Sequence, residues 1–359
     1  MPSITDIKNF TDEISLHDFY QEFGLSDYPF NLYTAENEGD YIKKLFVHPL
    51  NYDTIKSSFD GNRSIVIQGN RGTGKTALIS DLIQNVNTPN HLICVIDDYS
   101  DLNINPSTGE YYLMLIKTLV STLFNRLFVD IKRIRVLTRD EKVFLSCLLS
   151  EYTDSVTKEE LKRKIESIQL SSIKRFIKRY INFFRALCNY GLTAALNIAN
   201  DIVRSYFSVL PPLESSKARE IMPAISIEAE TDFNKQNSSY KLLVKICNLA
   251  NKLGYTKVSV FFDKFDEDSR IDNDAEIVSD FIKPLLTDNK LLECSSIQII
   301  VSVWKIPFDR ILGSVRTQKH YCPELCWSPS SLTKALNQRI CVFSEGKSTV
   351  YKGLHRVTV

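Results

Sequence analysis

A chain of 359 residues, 43% hydrophobic and 24% charged, has the composition of a folded globular protein, with room for one large domain or two smaller ones. A formal net charge of +1 excludes both a global basic field for coating nucleic acid and an acidic tail. The polar, acidic start Met1-Pro2-Ser3-Ile4-Thr5-Asp6 excludes a secretory signal, and the least polar long stretch, 181–210, carries Asn182, Arg185, Asn189, Asn197, Asp201 and Arg204. Those side chains make bilayer insertion costly, so a cytoplasmic protein without membrane contact is expected.

In chain order, residues 15–60 read as a short helical lead-in. Ser64-Ile65-Val66-Ile67-Gln68 is a compact buried strand, and the spacing from Lys75 to about Asn87 predicts an amphipathic helix. Leu92-Ile93-Cys94-Val95-Ile96 predicts a second buried strand that ends at Asp97-Asp98. Strand, glycine-rich turn, helix, strand opens a parallel α/β sheet with a right-handed crossover. From about Glu110 to Leu210 the spacing turns helical, with Leu113, Ile116, Leu119, Val120, Leu123 and Leu127 on one face. That is too much helix for one crossover, so an inserted helical unit is expected, closed by Pro211-Pro212 and followed by a polar stretch, 214–237.

The sheet then resumes. Ser238 is expected to cap a helix through Leu242, Leu243, Ile246 and Leu249 that Gly254 ends. Val258-Ser259-Val260-Phe261-Phe262 and Ile297-Gln298-Ile299-Ile300-Val301-Ser302 supply the third and fourth strands, and Ser328-Pro329 opens a last helix through Leu332, Leu336, Arg339 and Ile340. The eight cysteines (94, 147, 188, 247, 294, 322, 326 and 341) mostly lie in apolar runs and read as buried free thiols. Cys322 and Cys326, the one close pair, lack zinc-knuckle spacing.

Between the first strand and its helix stands Gly69-Asn70-Arg71-Gly72-Thr73-Gly74-Lys75-Thr76, which meets every position of G-x-x-x-x-G-K-[ST], with Ala77 following. The glycines let the backbone curl with its N–H groups turned towards an anion at a helix N-terminus. Lys75 offers a mobile cation to the β- and γ-phosphates, and Thr76 a hydroxyl ligand for Mg²⁺. A phosphate loop also needs an acid for the metal. Val260-Phe261-Phe262-Asp263 fits that need, with Asp263 expected beside Thr76 and binding Mg²⁺ through water.

The next residues carry a resemblance. Many AAA-type ATPases place a water-polarising glutamate directly after this aspartate, where this chain has Lys264. The run Asp263-Lys264-Phe265-Asp266-Glu267 instead resembles the D-x-hydrophobic-D-E pattern of STAND and NACHT-type NTPases. The resemblance implies that Asp266 or Glu267 activates water near the γ-phosphate, and Lys264 replaces the small residue usual there. Ser302 and Lys305, at the end of the fourth strand, stand where such ATPases sense the γ-phosphate; Arg316, Lys319 and Arg339 lie where a lid or arginine finger is found. Upstream, Tyr28-Pro29-Phe30 and Ala35-Glu36 resemble the approach of bacterial AAA/STAND-like ATPases, several associated with defence against phage, in which a Pro-Phe element packs near adenine.

The expected fold is therefore α/β, a parallel-sheet P-loop NTPase core of ASCE type with a large helical insertion and a short C-terminal helical lid. Its parts would be a lead-in (1–60), a core (61–109 and 238–327), the insertion (110–237) and a C-terminal helix or lid remnant (328–359). The expected function is Mg²⁺-dependent ATP binding and hydrolysis as a switch or motor subunit, in a homo-oligomer or a complex with a separate effector. Residues 345–359 are expected to leave no room for the effector domain usual in STAND-like proteins, so the effector would be a separate polypeptide or the chain a shortened form. Two other readings stand beside it: an ATP-loaded scaffold that does not hydrolyse, and an ATPase acting on nucleic acid. The last rests on Lys174, Arg175, Lys178 and Arg179, which fall opposite the apolar face of Ile173, Ile177, Ile181 and Phe184. A small-molecule kinase would need an arginine-rich lid, and the sequence has no such cluster.

Overall fold

Four apolar runs rich in β-branched residues become strands: β1 (Ile65–Gly69), β2 (His91–Ile96), β3 (Lys257–Phe262) and β4 (Gln298–Trp304). All pairings are parallel, in the order β1-β4-β3-β2. The computed structural model describes residues 42–138 except 87 and 233–346 except 272 and 273, with parts of 21–30 and of 141–148. The basic face at Lys174, Arg175, Lys178 and Arg179 lies outside the described residues, as does the tail beyond 346.

The strand sequences run almost continuously apolar because the sheet is covered on both faces, as parallel sheets are. Alternate residues sort cleanly between two cores. Ile65, Ile67, Phe261 and Ile300 pack with Tyr52, Ile55 and Phe59 of α2 (Tyr52–Asp60) and Leu78, Ile79 and Leu82 of α3 (Lys75–Gln84); α1 (Ile42–Leu45) precedes them. Val66, Val260, Phe262, Ile299 and Val301 pack on the other face, in the core that holds α4 (Thr108–Val129), α5 (Phe233–Lys252), α6 (Ala275–Leu286), the short α7 (Asn289–Leu292) and α8 (Lys305–Ile311). The first helix of the segment expected to be an insertion thus lies in the sheet's own core, with Leu115, Leu119, Leu123 and Leu127 fully buried. Its start is fixed by a capping box in which Ser107 and Glu110 satisfy each other's backbone amides.

Several boundaries differ from the sequence reading. Helix α5 begins at Phe233, so Ser238 is an internal residue and not its cap. Strand β4 runs two residues beyond Ser302, because Val303 and Trp304 pair with Gln68 and Gly69. Helix α6, capped by the Asp274 carboxylate on the amides of Glu276 and Ile277, had no counterpart in that reading. Cys94 and Cys247 are buried as expected, but Cys326 is exposed. The last helix, α9 (Pro329–Phe343), starts where expected, with Ser328 and Ser331 forming its capping box.

On the open side of β1, residues 321–325 run parallel to it. Val66 donates its amide to Tyr321 at 3.0 Å, Gln68 to Pro323 at 2.9 Å, and Leu325 returns a bond to Gln68 at 2.9 Å. Pro323 has no amide to give, so the pairing stays too sparse for a full strand. Among the described residues, no helix is long and apolar enough to cross a membrane.

Candidate functional site

Parallel strands bring their carboxyl ends to one edge, and the crevice there is where open α/β sheets take ligands. Strand β1 ends at Gly69, in register with Trp304 of β4. The chain then turns through residues 70–74 into α3. Gly72 (φ 73°) and Gly74 (φ 85°) hold left-handed backbone that other residues adopt only with strain. Gly74 is the N-cap of α3, and no side chain caps that end, so the first amides of the helix keep their donor capacity. A Cβ on Gly69 would lie 2.6 Å from Thr73 Oγ1.

The loop is pinned from three sides. Thr73 Oγ1 donates to Asn70 O at 2.7 Å, and the Trp327 indole donates to Thr73 O at 3.0 Å. Lys75 Nζ donates to Gly69 O at 3.1 Å and Asn70 O at 3.0 Å. Burial lowers the Lys75 pKa; the Asp266 and Asp263 carboxylates oppose that shift, and Arg71 adds to it. Ala77 follows, half-buried in the first turn of α3.

Asp263 closes β3. Its amide donates to Ile96 O at 3.0 Å, and its carbonyl accepts the Tyr99 hydroxyl at 2.7 Å. The carboxyl is buried, and burial pushes its pKa up; Ser302, Thr76 and Lys75 favour the ionised form but only partly offset the burial. Ser302 Oγ, itself buried, makes no hydrogen bond of ordinary geometry. Three expected site residues, Lys75, Thr76 and Asp263, therefore surround one spot, with Ser302 beside them.

Lys264 follows at φ 62°, a left-handed conformation a lysine holds only at a cost. It turns the chain into a single 3₁₀ turn, Phe265–Glu267. Phe265 anchors that turn: its buried ring stacks on Tyr99 (4.5 Å between centroids) and meets Phe262 and Phe281. The two acids that follow it, Asp266 and Glu267, are thereby held towards the surface. Asp266 Oδ2 accepts from Arg71 Nε at 2.7 Å, and the Arg71 guanidinium lies over the Trp304 ring at 4.4 Å. Glu267 is exposed, its amide bonded to Lys264 O at 3.1 Å. Arg270, paired with Asp268, ties this turn to the loop after β2 by donating to Tyr99 O at 2.7 Å and Leu102 O at 2.6 Å.

Other expected residues go elsewhere. The Lys305 ammonium is held by Glu324 on the segment beside β1. Arg339 on α9 donates to Pro29 O at 3.0 Å and lies 5.7 Å from the Phe30 ring, so the Pro29–Phe30 element is fastened to the last helix. Lys319 pairs with Glu293 at 2.9 Å, and Arg316 is exposed. Sequence reasoning missed Trp304, Trp327 and Arg270. The available signal was that both tryptophans of the chain stand next to strand-end or helix-start residues already singled out.

A cleft of about 710 Å³ opens between β2 and α4, lined by Asp97, Asp98, Glu110 and Lys117 among others, and none of residues 69–76 borders it. No group of three or more His, Cys, Asp or Glu suited to a metal occurs among the described residues. The site at the ends of β1 and β3 offers instead one hydroxyl and one carboxylate, a set that suits an ion keeping most of its waters. No family model matches the chain, and no curated protein or solved structure is similar to it at significance.

Proposed function

We propose that this chain is a Mg²⁺-dependent ATPase with a P-loop core of ASCE type, working as a conformational switch. One observation carries the reading: the buried carboxyl of Asp263 meets Thr76, Ser302 and Lys75 where the ends of β1, β4 and β3 come together. A buried acid whose neighbouring hydroxyl makes no hydrogen bond of ordinary geometry is costly in a structural core. The same pair is well suited to hold water around a divalent ion. The strand interposed between the loop strand and the acid strand fits the ASCE arrangement, with Ser302 in the place expected of a γ-phosphate sensor.

In this reading the N-terminal amides of α3 and the loop amides bind the phosphate chain. Lys75 turns an ammonium donor towards the β- and γ-phosphates. Thr76 and Asp263 are the residues that would hold Mg²⁺, which would supply positive charge to neutralise the phosphates. A water oxygen then attacks the γ-phosphorus while the bond to the β–γ bridging oxygen breaks. Its electron pair leaves on ADP, and the water's proton passes to a carboxylate. Glu267, the more exposed of the two acids, is assigned that last role, and Asp266 the pairing with Arg71.

The scaffold reading draws support from Lys264, which occupies the place of the glutamate of AAA-type sites. Single-turnover hydrolysis separates the two. Glu267→Gln should lower the rate at least ~10² -fold while nucleotide binding persists. An unchanged rate removes Glu267 from the mechanism, and a wild-type chain that binds ATP without hydrolysing it favours the scaffold. Assembly into a homo-oligomer, or with a separate effector in anti-phage defence, rests on the resemblance alone.

A further inference from the structure

The Arg71–Asp266 pair joins two elements that the proposed reaction needs in register. Arg71 lies in the glycine loop, two residues after β1; Asp266 lies in the turn after β3, next to Glu267. Strand β4 separates these two strands in the sheet, so backbone pairing does not link the loop to the turn directly. The link is made by side chains. Arg71 Nε donates to the Asp266 carboxylate at 2.7 Å, a second guanidinium nitrogen lies 3.4 Å from the Asp266 carbonyl, and the guanidinium plane rests on Trp304 at the end of β4. All three strand ends of the site are thus spanned by one side chain. An arginine suits this place because it can stack and bond in a fork at once, which a lysine cannot.

A surface ion pair as such contributes little to stability. Here the Asp266 side chain is 18% exposed, its partner sits on an aromatic ring, and the turn it holds is one residue long on either side. A pair held in one geometry by partial burial and a ring suits a spacer between loop and turn.

We infer that Arg71 is a positioning residue: through Asp266, and braced on Trp304, it sets the place of Glu267 relative to phosphates held by the loop. This rests on the hydrolytic reading given above. Asp266 is then the anchor of the pair and not the base.

The test is a double-mutant cycle on the full chain, with Mg–ATP binding and single-turnover hydrolysis measured separately. Arg71→Ala and Asp266→Asn should each lower the hydrolysis rate ~10-fold while the Kd for Mg–ATP moves less than ~3-fold, and the double variant should be no slower than either single one. Arg71→Lys should restore only part of the rate, because it keeps the charge without the fork. Unchanged melting temperatures would exclude a folding defect. Multiplying losses in the double variant, no loss in either single variant, or a Kd that rises as much as the rate falls would each overturn the inference. A wild-type chain that binds but does not hydrolyse also overturns it and leaves nucleotide binding standing; one that binds no nucleotide overturns the proposed function with it.

Discussion

The two ends of β3 and β4 bury polar groups in opposite ways. At the amino end, Ser259 Oγ donates to Gln298 Oε1 at 2.6 Å, and Gln298 Nε2 donates to Phe59 O at 3.0 Å and Arg63 O at 2.8 Å. His91 Nε2 lies 2.7 Å from Ser259 Oγ and must be the donor, because the serine hydrogen is already committed. Four residues further along each strand stand Asp263 and Ser302, also buried, where the acid's pKa is raised and the hydroxyl makes no hydrogen bond of ordinary geometry. The first set is a completed ladder that ties β2, β3 and β4 to the end of α2. The second carries a cost that the fold itself does not require, and that difference marks the carboxyl end as the working one.

Gln298→Leu breaks the ladder most severely, taking the acceptor from the Ser259 hydroxyl, the side-chain donor from Arg63 O and one of two donors from Phe59 O. Urea unfolding should show a loss of about 3 kcal/mol, with Mg–ATP affinity unchanged. A loss below ~1 kcal/mol would mean that the ladder is dispensable.

The two ends should also titrate with opposite sign. Burial holds the His91 pKa down to about 4, against 6.5 for a free imidazole, with Lys257 adding to the shift. Its contribution is complete above pH 6.5 and is lost as pH falls towards 4, on the order of 2 kcal/mol. Asp263 has its folded pKa raised, so its contribution is present at low pH and lost as pH rises through that value. Asp263→Asn should therefore raise the melting temperature most near pH 7 and least near pH 4. An equal gain at every pH would show that the carboxyl is not strained by burial.

Ser302→Ala sets the lower bound. Removing a hydroxyl that leans on Asp263 without a hydrogen bond of ordinary geometry should change stability by less than ~1 kcal/mol, whereas it should weaken nucleotide turnover. A loss as large as that of Gln298→Leu would erase the contrast between the ends.

Much of this was legible in the sequence for a physical reason. The strands are buried on both faces, so they read as unbroken apolar runs, and the loop needs glycine at fixed offsets. Asp263 was legible because a strand end delivers its residue to a known edge. The segment at 321–325 was not, since Tyr321-Cys322-Pro323-Glu324-Leu325 has neither length nor periodicity. The Arg71–Asp266 pair and the Trp327–Thr73 bond join residues 195 and 254 positions apart, and no local pattern encodes such contacts. The left-handed turn at Lys264 was also hidden, because lysine is not a residue that announces positive φ.

The central claim is that the carboxyl end of this sheet grips a nucleoside triphosphate. Both tryptophans touch the loop, Trp304 through Arg71 and Trp327 through Thr73, so intrinsic fluorescence reports on it directly. Titration of the full chain with Mg–ATP should give a saturable fluorescence change in the wild type, and Lys75→Ala should weaken the apparent affinity by ~10² -fold or more. Saturation that is identical in Lys75→Ala, or no change in the wild type at millimolar Mg–ATP, would contradict the account.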